Sequence, residues 1–262
     1  MSATSLRDLW RAGDTTLGAW LSVPSSVTAE ATARAGFDYV CIDTQHGAVE
    51  YSDAVPMIQA ILLGGSRPIV RVPWNEPGII GKMLDAGAQG IIVPMVNSVA
   101  EAEAAVRSCR YVPHGGARSW GPGLAAPRVD GHYLEWAEQH VACIPMIETT
   151  QALDSLDDIL AVPGIDGVYV GPADLSLTLG LRPQNNDGDA AFDDALSAVV
   201  AGCERAGVVA GIHASGALTP ARKAAGFGMI TVSTELLALK AGLAAELAAA
   251  NDTSATASSD LY

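Results

Sequence analysis

Residues 83–96 read MLDAGAQGIIVPMV, and this stretch contains the structural unit from which we predict the fold. It joins an amphipathic helix pattern over 76–86 to a continuously apolar segment over 89–96 through Ala86-Gly87-Ala88. Glycine at such a junction readily adopts the left-handed backbone that ends a helix, because it has no Cβ atom. A continuously apolar strand is typical of a parallel sheet whose two faces are both covered. The stretch therefore predicts a helix followed by a buried parallel strand.

The same unit recurs along the chain. The Ala-Gly motif, Ala-Gly followed by an apolar residue, recurs at Ala35-Gly36-Phe37, Ala206-Gly207-Val208 and Ala225-Gly226-Phe227. Strands are predicted over 16–23, 37–43, 68–72, 89–96, 141–147, 167–170, 208–213 and 229–232. A helix pattern follows each strand, and eight such units in about 250 residues predict an α/β fold, a single-domain (β/α)8 TIM barrel over residues 1–250. An open doubly wound sheet is the alternative, although the first strand lacks the Gly-x-Gly-x-x-Gly that dinucleotide binding needs.

The charge balance limits the classes of partner. The 262 residues include 15 Lys plus Arg and 29 Asp plus Glu, which gives a formal net charge of −14. This sign argues against partners with phosphate backbones and against anionic membrane surfaces. No apolar run approaches the roughly 18–20 residues that span a bilayer. We therefore expect small-molecule substrates, no nucleic acid and no membrane.

The cysteines and the two termini indicate the compartment. The four cysteines are far apart in apolar surroundings, which is typical of buried free thiols in a reducing cytosol. The first ten residues lack the apolar region of a signal peptide. We expect a cytoplasmic protein. The small, polar residues 251–262 predict a disordered tail.

Polar side chains follow several predicted strands where each strand ends. Barrel enzymes place their chemistry at this rim, so Asp43-Thr44-Gln45-His46, Arg71, Glu148 and Asp174 are expected to converge. Two carboxylates suit a hard divalent cation, although Glu148 could instead favour a helix dipole and Asp174 could cap a helix. His46 is a candidate general base or a structural loop residue. Arg71 within an apolar strand needs an anion, which is either a substrate oxygen or a structural partner.

Other rim candidates carry less information. Trp20, near the end of the first strand, could wall a pocket, and His213 ends the seventh strand. The Gly/Pro-rich loop 112–131, which contains His114 and Arg118, is expected to contact a substrate oxygen from the rim.

In combination these residues resemble the HpcH/HpaI aldolase family, the class II, metal-dependent pyruvate aldolases. This family includes 4-hydroxy-2-oxoheptanedioate aldolase and 2-keto-3-deoxy sugar acid aldolases. The resemblance extends over about residues 17–237 and rests on Ile42-Asp43-x-x-His46, Val70-Arg71-Val72-Pro73, Leu84-Asp85-Ala86-Gly87-Ala88, Val93-Pro94-Met95-Val96, Ile147-Glu148-Thr149 and Gly171-Pro172-Ala173-Asp174-Leu175-Ser176.

The resemblance implies an enzyme that reversibly cleaves 4-hydroxy-2-oxo acids to pyruvate and an aldehyde. It implies that Glu148 and Asp174 bind a divalent cation, Mg²⁺ or Mn²⁺, with Co²⁺ or Zn²⁺ as alternatives. His46 is then the base and Arg71 stabilises the enolate oxygen. Asp85 acts on the histidine across a subunit interface, since it lies at the wrong end of its own barrel. A homo-oligomer follows, a hexamer by resemblance, with the apolar segment 236–250 supplying contact surface.

Substrate contacts are also implied, with two departures from the family pattern. The pyruvate carboxylate is expected at Gly171, Pro172, Ala173 and Asp174, with Trp20 and Met146 beside the substrate. The family often has glutamate before the histidine, where this chain has Gln45, and a glutamine in place of Met146. The first change removes a charge beside the base, and the second removes an amide donor.

Two other functions remain open at this point. An oxaloacetate decarboxylase, or a related 2-oxo acid lyase, would use the same cation and the same enolate chemistry. A barrel that binds a metabolite without catalysis is the alternative from another class, although Glu148, Asp174 and His46 are all present.

Overall fold

In the computed structural model, residues 4–251 form eight parallel strands. The strands close into one barrel in chain order, with the last strand paired to the first. The predicted TIM barrel is therefore confirmed. The strands are β1 (Thr16–Leu21), β2 (Tyr39–Asp43), β3 (Arg67–Arg71), β4 (Gly90–Val93), β5 (Ala142–Ile147), β6 (Gly167–Val170), β7 (Val209–His213) and β8 (Met229–Thr234). The structure describes residues 4–251, so the predicted tail lies outside the described residues except for Asn251, which ends the last helix.

Helices surround the strands. They are α1 (Leu6–Arg11), α2 (Ser26–Arg34), α3 (Tyr51–Leu63), α4 (Pro77–Ala86), α5 (Val99–Cys109), α6 (Tyr133–His140), α7 (Thr150–Asp154), α8 (Leu156–Leu160), α9 (Pro172–Thr178), α10 (Ala190–Ala206), α11 (Thr219–Ala224) and α12 (Glu235–Asn251). Helix α1 was not predicted, and it packs buried Leu6 and Trp10 against the barrel interior. Within residues 4–251, none of the helices combines the length and the apolar character needed to cross a bilayer.

The glycines of the Ala-Gly motif have the left-handed backbone that the sequence predicts. Gly36, Gly87, Gly207 and Gly226 have φ angles of 94°, 115°, 68° and 102°. These angles lie in the left-handed region that glycine enters without steric cost. Each of these glycines therefore ends a helix and turns the chain into the next strand.

Two tyrosine rings lie in the barrel interior. Tyr39 and Tyr169 are fully buried, and Gly18 leaves space for the first ring, because a Cβ atom at Gly18 would lie 2.1 Å from it. Both hydroxyls reach the Thr231 Oγ1 atom, at 2.9 Å from Tyr39 and 2.6 Å from Tyr169. The Tyr169 hydroxyl also lies 3.5 Å from the Nδ1 atom of His213. A buried chain of hydrogen bonds thus connects the interior to the end of β7.

The pKa of His213 reflects this position. Burial, and then the positive charge of Arg71, lower the pKa of His213 to about 4, although Asp43 opposes the shift. The ring is therefore neutral in the folded protein at pH 7, and it is protonated in the unfolded chain below pH 6.5. Folding stability supplied by this residue is present above pH 6.5 and is lost as the pH falls towards 4.

We predict that His213→Gln makes the unfolding free energy less dependent on pH. Between pH 7 and pH 4.5, the wild type should lose on the order of 1–2 kcal/mol more than the variant, a value reduced because the ring is partly open to solvent. Urea unfolding at several pH values measures this difference. His132→Gln is the matched control, since the His132 side chain is 67% exposed. The prediction would be contradicted if the difference in unfolding free energy between the wild type and His213→Gln were the same at the two pH values.

Candidate active site

A cavity of about 460 Å³ opens at the carboxyl ends of the strands. Most of the site residues predicted from sequence line it: Trp20, His46, Arg71, Met146, Gly171, Pro172, Ala173 and Asp174. Four other polar residues share the lining, namely Gln184, Asn185, His213 and Ser215. The structure therefore brings side chains from distant parts of the sequence to one rim.

Glu148 lies directly after β5, and its side chain is almost fully buried, with 2% of the residue exposed. The Met95 N–H donates to Glu148 Oε1 at 2.8 Å. Met95 has a φ of 54°, a left-handed angle that a residue other than glycine adopts only at a cost in free energy. Gly171 leaves room on the other side, because a Cβ atom there would lie 2.5 Å from Glu148 Oε2. The surrounding backbone is thus shaped around this carboxylate.

The charge of Glu148 is poorly compensated by the protein itself. Burial raises its pKa to about 7; the Met95 N–H and Arg71 oppose the rise, and the carboxylate of Asp174 adds to it. Asp174 is half-buried in the first turn of α9, the helix that begins just after Gly171. A cation between the two carboxylates would remove both the desolvation penalty and the repulsion.

The donor set fits a hard divalent cation. Mg²⁺ is commonly held by one or two carboxylates, with water and substrate oxygens completing its shell. Within the described residues no cluster of three or more His, Cys, Asp or Glu side chains could hold a metal ion. The site therefore resembles an open magnesium-type site more than a closed structural zinc site.

Asp43 has a structural role that the sequence did not assign to it. Arg71 donates to both of its carboxylate oxygens, from Nε at 2.9 Å and from Nη2 at 2.6 Å. The Trp20 indole N–H also donates to Asp43, at 3.1 Å, and the Arg71 guanidinium lies 4.9 Å from the Trp20 ring centroid. Burial raises the pKa of Asp43, but the hydrogen bonds and charge of Arg71 outweigh it and hold that pKa below its usual range. Asp43 therefore positions Arg71 as a charged group.

The same aspartate shapes the loop that carries His46. Asp43 Oδ1 accepts the backbone N–H groups of Gln45 at 3.0 Å and His46 at 3.2 Å. Gly47 is required at this turn, since a Cβ atom there would lie 2.2 Å from the Asp43 carbonyl oxygen. The exposed His46 imidazole makes no hydrogen bond within residues 4–251. Its position is thus set by the backbone, and its ring is open to the cavity.

Asp85 is not at this cavity in its own chain. It lies on α4, one residue before that helix ends, and its Oδ1 atom accepts a 2.6 Å hydrogen bond from Arg118 Nη2. The Arg118 side chain is fully buried, with its guanidinium over the rings of Tyr111 and Tyr133. A role for Asp85 beside His46 therefore requires a neighbouring subunit.

The expectation that loop 112–131 contacts substrate from the rim is wrong within a single chain. Arg110, at the start of this loop region, donates to the carbonyl of Val141 and to Asp166, which precede β5 and β6. The loop therefore lies at the amino ends of the strands. Arg118 is bound to Asp85, and His114 lies 4.0 Å from Glu138, so neither faces the cavity.

Similarity to known proteins agrees with this geometry. The chain is 41% identical over 237 residues to a hydroxypyruvate/pyruvate aldolase of Rhizorhabdus wittichii, covering 90% of this chain and 94% of the relative. It is 40% identical over 201 residues to a 4-hydroxy-2-oxo-heptane-1,7-dioate aldolase of Klebsiella pneumoniae, covering 74% and 75%. A solved HpcH/HpaI aldolase/citrate lyase family protein from Burkholderia cenocepacia superposes with a TM-score of 0.86 at 32% identity, covering 94% of this chain and 99% of that one. The sequence model of HpcH/HpaI aldolase/citrate lyase matches residues 16–233, and the chain belongs to this family.

Proposed function

We propose that this chain is a metal-dependent pyruvate aldolase, a lyase that reversibly cleaves 4-hydroxy-2-oxo acids to pyruvate and an aldehyde. The observation that carries the proposal is the pair of carboxylates Glu148 and Asp174 beside Arg71 and His46 at one barrel rim. The names of the relatives, hydroxypyruvate/pyruvate aldolase and 4-hydroxy-2-oxo-heptane-1,7-dioate aldolase, support the same reaction class.

Glu148 and Asp174 would hold the cation, for which we propose Mg²⁺ or Mn²⁺ because both ligands are carboxylate oxygens, with Co²⁺ or Zn²⁺ as alternatives. A divalent cation there would withdraw electron density from the keto and carboxylate oxygens of a 2-oxo acid. The backbone at Gly171, Ala173 and Asp174 is proposed to contact the substrate carboxylate. Pro172 has no N–H and can contribute only shape, while Trp20 and Met146 form apolar walls.

His46 would transfer the proton, and Arg71 would stabilise the negative charge that develops. His46 removes the proton of the C4 hydroxyl, the C3–C4 bond breaks, and the aldehyde leaves with its new carbonyl group. The electron pair of that bond remains on the three-carbon fragment as the enolate of pyruvate. Arg71, already held charged by Asp43, stabilises the negative enolate oxygen. The imidazolium of His46 then returns its proton to C3 of the enolate, which gives pyruvate and regenerates the base.

The assembly is proposed to be a homo-oligomer, a hexamer by family resemblance. Helix α12 has no buried residue in the single chain, and Leu237, Leu239, Leu243 and Leu247 are 58–67% exposed. An apolar helix so exposed on an isolated chain indicates a surface that a second copy covers. In that assembly, Asp85 of one subunit would orient His46 of its neighbour.

We also propose the cytoplasm as the compartment. Cys41, Cys109, Cys143 and Cys203 are all buried free thiols, which is typical of proteins in a reducing environment.

We predict that Glu148→Gln and Asp174→Asn each lower kcat/KM for cleavage at least about 100-fold, because each removes a charge that holds the cation. Pyruvate release from 4-hydroxy-2-oxo acids measures the effect. The metal-free Glu148→Gln protein should melt no lower than the metal-free wild type, since the substitution removes a costly buried carboxylate. Glu204→Gln, on the exposed face of α10, is the matched control. Undiminished wild-type activity after removal of metals with a chelator would contradict the assignment.

We predict that His46→Ala lowers aldol cleavage by about 100-fold or more but lowers oxaloacetate decarboxylation much less. Decarboxylation reaches the same enolate by losing CO₂, so it has no hydroxyl proton to remove. Both rates are measured on the same preparation as pyruvate formation, with His132→Ala as the control. Equal losses in the two reactions would count against His46 as the base.

We predict that mixed oligomers of His46→Ala and Asp85→Asn subunits regain activity that neither variant has alone. Asparagine keeps an acceptor for the buried Arg118, so the local fold is preserved. Random mixing after reversible dissociation should restore both residues at about a quarter of the sites. Light scattering and pyruvate release are measured before and after mixing. A monomeric mass, or oligomers that mix without recovery, would rule out the shared site.

A further inference from the structure

The cavity has two chemically different sides. One side carries Asp174 and Arg71, which are assigned above to the cation and the 2-oxo acid together with the buried Glu148. The other side is lined by Gln184 and Asn185, which follow β6, by His213 at the end of β7, and by Ser215 just after it. The proposed reaction leaves this second side without a role, although a 4-hydroxy-2-oxo acid must extend beyond its first three carbons.

The hydrogen-bond chain in the barrel interior determines which nitrogen of His213 carries the proton. The Tyr169 hydroxyl donates its hydrogen to Thr231 Oγ1 at 2.6 Å. It can therefore only accept from His213, so the 3.5 Å contact favours the tautomer that carries its proton on Nδ1. Trp20 lies edge-on to the imidazole, with ring centroids 5.3 Å apart. His213 is thus a neutral ring whose Nε2 lone pair makes no hydrogen bond within residues 4–251.

Asn185 is oriented by a second buried group. Arg222, on α11, donates from Nη2 to Asn185 Oδ1 at 2.9 Å and to Asp187 Oδ1 at 2.6 Å. Because the Asn185 oxygen is engaged, its amide N–H groups are left as donors, and they form no hydrogen bond within residues 4–251. Asn186 ties the same loop to α9 through a 2.7 Å bond to Ser176 Oγ. The loop therefore presents a prearranged donor to the same cavity as the His213 acceptor.

The charge of this side is close to neutral. Its four polar side chains are uncharged, since His213 is unprotonated at pH 7. Arg222 lies behind Asn185, and its charge is already balanced by Asp187. A hydroxyl group, which both donates and accepts, matches an acceptor at His213 and a donor at Asn185. Among the residues that line the cavity on this side, none is a cation that could pair with a carboxylate.

We propose that His213 and Asn185 form a polar subsite that selects aldehydes bearing a neutral hydroxyl group next to the carbonyl, over unsubstituted aldehydes and over those with a distal carboxylate. The subsite rests on the proposed aldolase function and specifies its substrate class. The substrate hydroxyl donates to His213 Nε2 and accepts from the Asn185 amide. His213 thereby determines specificity, and Tyr169 acts as a positioning residue through it.

The test compares two-carbon aldehydes that differ only by the hydroxyl. Purified protein with Mn²⁺ and pyruvate is given glycolaldehyde or acetaldehyde, and the ratio of the two kcat/KM values is measured. Intrinsic differences in aldehyde reactivity cancel when this ratio is compared between proteins. We expect His213→Leu to lower the glycolaldehyde-to-acetaldehyde ratio roughly tenfold, the effect of one hydrogen bond to a substrate hydroxyl.

Two further variants separate recognition from general damage. Tyr169→Phe removes the group that fixes the His213 tautomer, and should lower the ratio about threefold through the histidine. His132→Leu, which changes an exposed histidine remote from the cavity lining, should leave the ratio as in the wild type. A ratio that is the same in wild type, His213→Leu and Tyr169→Phe would overturn the subsite.

Charge is tested with succinic semialdehyde against butyraldehyde. The wild type should show no more than about a twofold preference for the carboxylate, since this side carries no unbalanced cation. A strong preference for succinic semialdehyde that survives His213→Leu would overturn the proposed substrate class.

Exchange of the pyruvate methyl protons with deuterated water, followed by NMR without any aldehyde, distinguishes failure of the subsite from failure of the aldolase function. Exchange that depends on Mn²⁺, together with unchanged aldehyde ratios, would reject the subsite and leave the aldolase function standing. Absence of both exchange and turnover would reject the aldolase function itself.

Discussion

A carboxylate buried without a positive partner of its own is the constraint on which the site depends. Glu148 is 2% exposed, and burial raises its pKa to about 7, with the charge of Asp174 adding to the rise. The backbone nevertheless accommodates it, through the left-handed Met95 that donates an N–H and through Gly171, where any side chain would collide with the carboxylate. Such an arrangement is unfavourable for the isolated chain and becomes favourable when a cation is bound. We therefore interpret the strain around Glu148 as preparation for a metal.

The second buried acid, Asp43, has the opposite environment. Arg71 binds both of its oxygens, so this pair is internally balanced and its charges are permanent. Asp43 also accepts from Trp20 and from the backbone of the loop carrying His46. One side chain thus fixes the orientation of the Arg71 guanidinium and the path of the backbone at His46. We propose that the uncompensated charge of Glu148 binds the metal, whereas the compensated charge of Asp43 holds Arg71 and the His46 loop in place.

Much of this was predictable from sequence, because strand ends and helix ends leave local signals. The Ala-Gly motif predicted the left-handed helix ends, and polar residues after apolar runs located the rim at the carboxyl ends of the strands. The role of Asp43 depends on contacts with Trp20 and Arg71 from other strands, which no local pattern encodes. Loop 112–131 was assigned to the wrong end of the barrel, because glycine- and proline-rich composition is the same at both ends. The helix pattern that follows the fifth strand forms two helices, α7 and α8, that break at Ser155, and nothing in its apolar spacing indicates that break.

Titration of the metal-free protein with Mn²⁺, followed by electron paramagnetic resonance, tests whether Glu148 and Asp174 hold a divalent cation. The free ion gives a sharp six-line spectrum that broadens and weakens when it is bound. We predict one tight ion per chain in the wild type, and a loss of at least about tenfold in affinity in both Glu148→Gln and Asp174→Asn. Binding of the same stoichiometry and affinity in all three proteins would contradict the assignment of these carboxylates, as would the absence of binding in the wild type.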